Sequence, residues 1–76
     1  MTHALIVDDD VDSAAMLSEL IAMQGLTVAT ANTLRDARKQ LALQTPDLVL
    51  LDLRLPDGSG MDLFADPELL ANSEVV

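Results

Sequence analysis

Ala4-Leu5-Ile6-Val7-Asp8-Asp9-Asp10 decides the architecture. Four apolar residues without alternation fit a strand covered on both faces, as in a parallel sheet. The run stops in three acids, and a helix period follows. Asp10 is placed to cap a helix over 11–24, with Asp12 in its first turn and Gly25 just past its end. Ala14, Leu17 and Ile21 form the sheet-facing stripe, widened by Met16, Leu20 and Met23.

Outward from this unit the pattern repeats. Residues 26–31, with two threonines and partial alternation, predict an edge strand. Asn32 or Thr33 can cap a second helix over 34–43, with Leu34, Ala37 and Leu41 inward and Arg35, Arg38 and Lys39 on a solvated face. Pro46 prevents continuation. Leu48-Val49-Leu50-Leu51 is a second wholly apolar strand, and it too ends in an acid, Asp52. Residues 53–60 read as a Pro/Gly loop. Short helical turns are expected over 61–65 and 67–70, and Glu74-Val75-Val76 starts a fourth strand. The order β-α-β-α-β-α-(β) calls for an α/β fold with right-handed β-α-β crossovers.

Composition narrows the function. The 76 residues make one small domain, which buries only about 60% of its unfolded surface. There is no Cys and one His, so neither a disulfide framework nor a Cys-based zinc site is available. His3, ahead of the first strand, is expected at the surface. A net charge of -9 argues against direct nucleic-acid binding and favours cations or basic partners. No apolar run spans a membrane and no export signal opens the chain, so the expected location is the cytoplasm.

Acids at a helix start cap it and suit its dipole. That accounts for Asp10 but leaves carboxylates at the ends of two buried strands. Sites in open α/β sheets form outside the carboxyl ends of strands where the strand order reverses. If the first and third strands are neighbours, Asp8, Asp9 and Asp52 converge. Crowded carboxylates either share a proton or take up a cation. Oxygen-only ligands point to Mg²⁺.

Leu5 to Asp10, then Asp47 to Pro56, then Gly58-Ser59-Gly60 resemble the receiver domain of bacterial two-component response regulators. Asp52 follows Asp9 by 43 residues, with Pro56 four and Gly60 eight residues further on. The resemblance implies a flavodoxin-like parallel sheet of strand order 2-1-3-4-5. It implies a phosphoacceptor at Asp52, charged by a sensor histidine kinase. Mg²⁺ would be held by Asp8, Asp9, Asp52 and the backbone carbonyl of Arg54, with Pro56 and Gly60 shaping the loop and transcription regulation as the output.

The family's fourth-strand Ser/Thr and fifth-strand Lys have no counterpart in these residues. The expectation is therefore a truncated receiver over 1–76, impaired in phosphotransfer. Two alternatives come from other classes. One is a self-associating fragment, a homodimer or higher oligomer built through an exposed third-strand edge. The other is a haloacid-dehalogenase-type phosphotransferase with Asp8 as nucleophile.

Overall fold

A computed structural model describes residues 2–52, 54–65 and 72–76. The expected turn over 67–70 lies outside the described residues. Strand β1 (His3–Val7) is buried along its whole length, as its unbroken apolar run requires. It pairs in parallel with β2 (Thr27–Ala31) on one side and β3 (Leu48–Leu51) on the other. The sheet order β2-β1-β3-β6, with β6 at Glu74–Val75, places β2 at an edge, in line with its polar content. The fold is the expected flavodoxin-like α/β sheet.

Helix α1 (Val11–Ala22) starts at Asp10, whose carboxylate accepts from the Asp12 amide at 3.1 Å and the Ser13 hydroxyl at 2.9 Å. It ends two residues before the expected boundary. The Gln24 and Gly25 amides donate three residues back, to Ile21 and Ala22, which tightens the last turn. Helix α2 (Leu34–Leu43) has the expected bounds. Thr33 caps it, accepting from the Asp36 amide at 3.0 Å.

After β3 the chain forms a hairpin, β4 (Arg54–Leu55) with β5 (Gly58–Ser59), turning at Pro56-Asp57. The sequence reads this stretch only as loop. A 3-10 turn follows over Gly60–Ala65. Strand β6 (Glu74–Val75) then adds to β3 in parallel.

The expected free edge of β3 does not exist. Glu74 donates to the Asp47 carbonyl, Val76 donates to Val49, and Leu51 donates to Val76, so three residues satisfy the whole edge. A parallel ladder spaces its bonds evenly, and the backbone groups of Glu74 and Val76 supply them. The uncovered β3 edge was the motive for the homodimer and for the self-associating alternative, and both lose it here.

The two faces of the sheet differ. Leu5, Val7, Ala31 and Val49 pack with Leu34, Ala37 and Leu41 of α2 and with Leu55 and Leu63 into one core. On the other face Ala14 is buried, but Met16 and Leu20 of α1 and Met23 just past its end are 60%, 54% and 79% exposed. A groove of about 240 Å³ is lined by Ile6, Leu17, Leu50 and Val76 together with Asp8 and Asp52.

His3 corrects a second expectation, being 7% exposed and part of β1. Its Nδ1 lies 2.8 Å from the Thr27 hydroxyl, which itself donates to the Thr2 carbonyl. That hydroxyl has a single proton, so Nδ1 carries the hydrogen and donates. A polar ring is tolerated in the sheet because a cross-strand neighbour satisfies it.

Asp47 ties the same end together. Its carboxylate accepts from the Thr2 amide at 2.8 Å, the His3 amide at 3.1 Å and the Thr2 hydroxyl at 3.1 Å. These donors hold its carboxyl below the ordinary value. The stabilisation is fully present above the unfolded-state pKa, about 3.9. It is lost as pH falls from there through the lower folded value. Asp47→Asn should therefore be less stable than wild type at pH 7, and the gap should close below about pH 4. Urea denaturation at a series of pH values measures this, and a gap independent of pH would count against it.

Candidate functional site

The two central strands end side by side, and each carries its acid into the same crevice. The Asp52 amide donates to the Val7 carbonyl at 2.8 Å, extending the β1–β3 ladder to the site. The Asp8 amide donates to Ala31 at 2.9 Å on the other side. Asn32 locks this corner, its Nδ2 donating to the Asp8 carbonyl at 2.9 Å. Sequence reading offers Asn32 only as a cap for α2. That cap is Thr33, and Asn32 instead joins the ends of β1 and β2.

Asp8, Asp9 and Asp52 each offer a carboxylate oxygen, and these oxygens lie within 4.8 Å of one another. Asp8 and Asp52 are half-buried and Asp9 is exposed. Partial desolvation, then the neighbouring Asp52 and then Asp8, hold the Asp9 carboxyl above its ordinary value. Crowding three charges of one sign is costly, so the cluster favours a proton or a cation among its oxygens. The donor set, three hard carboxylate oxygens with no sulfur or imidazole, fits Mg²⁺.

Hydrogen bonds already fix two of the carboxylates. Asp8 Oδ1 accepts from the Asp10 amide at 3.0 Å, and Asp52 Oδ1 accepts from the Arg54 amide at 3.0 Å. Each closes a local turn in which the side chain takes the amide two residues on. Asp52 Oδ2 accepts from no backbone amide among the described residues, and the Asp9 carboxyl lies beside Asp52.

The remaining expected residues sit around this centre. Arg54 begins β4, and Pro56 stands exposed in the hairpin turn. Gly60 is buried against the Asp52 carbonyl and the Leu51 side chain, leaving no room for a Cβ. Arg35, Arg38 and Lys39 lie on the exposed face of α2, as expected. One residue that sequence reading missed is Asp57. From the hairpin tip it accepts from the Leu34 amide at 2.7 Å and the Arg35 amide at 3.0 Å.

Comparisons with known proteins agree on one family. The family model for the response regulator receiver domain matches residues 4–71. The chain is 45% identical over 60 residues to the response regulator protein PilR of Pseudomonas aeruginosa, covering 79% of this chain and 14% of that protein. It is 38% identical over 66 residues to the KDP operon transcriptional regulatory protein KdpE of Escherichia coli, covering 87% and 29%. The chain thus spans less than a third of the length of these two relatives.

Among solved structures, a CheY-like receiver domain from Methylobacillus flagellatus superposes with a TM-score of 0.85 at 31% identity, covering 99% of this chain and 66% of that one. The response regulator TrrA from Thermotoga maritima, in complex with Mg²⁺ and BeF, gives 0.86 at 26% identity, covering 99% and 66%.

Proposed function

Because the chain belongs to the response-regulator receiver family, we propose that it accepts a phosphoryl group on Asp52 from the phosphohistidine of a sensor kinase. The observation that carries this reading is the convergence of Asp8, Asp9 and Asp52 at the adjoining ends of β1 and β3.

Asp52 Oδ2 is the nucleophile, since Oδ1 is held by the Arg54 amide. A P–O bond forms to Oδ2 as the donor's P–N bond breaks, and the leaving electron pair stays with the donor imidazole. The product is an acyl phosphate on Asp52. Asp8, Asp9, Asp52 and the Arg54 carbonyl are the residues proposed to hold Mg²⁺. The bound ion supplies neutralisation of the phosphoryl oxygens, which a weak carboxylate nucleophile needs. Asp10 caps α1 and keeps Asp8 oriented through its own amide. The encounter with the kinase belongs in the cytoplasm, and the relatives' names suggest transcription as the regulated output. Among the described residues no helix is long and apolar enough to cross a membrane.

Incubation of the chain with acetyl phosphate and Mg²⁺ should add one phosphoryl group to Asp52, read by intact mass and peptide mapping. No adduct, or an adduct elsewhere, overturns the reading. The metal is tested separately. Titrating Mg²⁺ should move the backbone amide resonances of residues 8–10, 52 and 54, and Asp9→Asn should weaken binding by roughly tenfold or more. Resonances that stay in place on the order of 10 mM Mg²⁺ would remove the ion from the proposal.

A further inference from the structure

We infer that Asp57 is a positioning residue: its grip on the first turn of α2 anchors the β4–β5 hairpin and thereby holds the Arg54 amide on Asp52. The inference rests on the proposed function of Asp52 and extends it to a residue outside the carboxylate cluster.

The first amides of any helix lack intrahelical partners. At α2 they are shared between two residues from different parts of the chain. Thr33, the local cap, takes the Asp36 amide. Asp57 takes the two that Thr33 leaves, Leu34 through Oδ1 and Arg35 through Oδ2. A carboxylate there also suits the helix dipole. These two amides, with Arg38 nearby, keep the Asp57 carboxyl below its ordinary value, so it is charged at neutral pH.

The consequence runs back to the site. The hairpin has only two residues in each strand, too few to be stable alone. It is fixed from outside at two places. Leu55 is buried in the core, and Asp57 binds α2 at the tip. Between Asp57 and the site stands Arg54, whose amide orients Asp52 Oδ1. Releasing the tip frees the segment that sets the Asp52 rotamer and the Arg54 carbonyl together.

The test compares two ways of uncapping the same helix. Asp57→Ala removes two bonds and unties the hairpin, whereas Thr33→Ala removes one cap and leaves the hairpin tied. Both should lower the melting temperature. Only Asp57→Ala should weaken Mg²⁺ binding, by roughly tenfold, the lower end of the loss when support around a metal site is removed. Only Asp57→Ala should shift the Arg54 amide resonance and speed its hydrogen exchange. Asp57→Asn keeps one acceptor, so it should fall between and serves if the alanine variant folds poorly. An Asp57→Ala protein with wild-type affinity and an unmoved Arg54 amide overturns the inference. So does a Thr33→Ala protein that loses affinity equally, because general loosening would then explain both. A wild-type chain that binds no Mg²⁺ overturns the metal reading instead. The Arg54 amide needs no metal and still decides the role of Asp57.

Discussion

Asp52→Asn should abolish phosphoryl labelling by acetyl phosphate while leaving the fold intact. The amide is nearly isosteric with the carboxylate, and its oxygen can still accept from the Arg54 amide, so the local turn survives. It carries no anionic oxygen to attack phosphorus. Asp8 is held through Oδ1 by the Asp10 amide much as Asp52 is by the Arg54 amide, so labelling of the variant at Asp8 would show that the nucleophile lies there.

Asp8→Asn and Asp9→Asn should slow labelling through weaker metal binding yet leave the adduct on Asp52. Wild-type labelling itself should be slow. The four basic residues are Arg35, Arg38, Lys39 and Arg54. The first three lie on the exposed face of α2, and the Arg54 side chain is exposed as well. Each positioned donor missing from a developing charge costs about 10²–10³ in rate. Fast, stoichiometric labelling would contradict that account. An adduct on Asp8 would transfer the nucleophile to the position expected of a haloacid-dehalogenase-type enzyme.

Local signals on the chain marked some features, and distant partners set others. Helix α2 and strand β3 have their expected bounds because punctuation stands on both sides: Thr33 before the helix, Pro46 between the two, Asp52 after the strand. The carboxylate cluster was legible because two buried strands announce themselves by apolarity and their last residues by charge. The end of α1 was not, since Met23 and Gln24 continue a helical pattern and only the tightened last turn stops it.

His3 misled because a single polar residue gives no hint that Thr27, on another strand, will satisfy it. The β3 edge misled because three residues weigh little as a strand, yet the backbone groups of Glu74 and Val76 are enough to pair it. Asp57 reads from the sequence only as one residue of the Pro/Gly loop over 53–60. Its partners are backbone amides of a remote helix, and an amide has no residue signature.

Gly60→Ala should be among the most damaging single substitutions in the chain. Added at Gly60, a Cβ would collide with the Asp52 carbonyl oxygen and approach Leu51 Cγ at 3.0 Å and Cδ1 at 3.1 Å. The first of these obstacles is backbone at the end of a central strand and cannot rotate away. Either the 3-10 turn lifts off the sheet or the Asp52 peptide moves. Forcing a methyl into such a packed contact costs about 1–3 kcal/mol or more. In a domain of this size each kcal/mol is worth about 4–8 °C, so the melting temperature should fall by roughly 5–20 °C.

The same displacement reaches Asp52, so the Asp52 and Arg54 amide resonances should shift and Mg²⁺ affinity should drop. Gly25→Ala is the control. Its φ of +91° makes a side chain strained, but no heavy atom lies within 4 Å of the added Cβ. That variant should lose only about 1–2 kcal/mol of backbone preference and leave the Asp52 resonance in place. A Gly60→Ala protein with unmoved Asp52 and Arg54 resonances would mean that the 3-10 turn does not bear on the site.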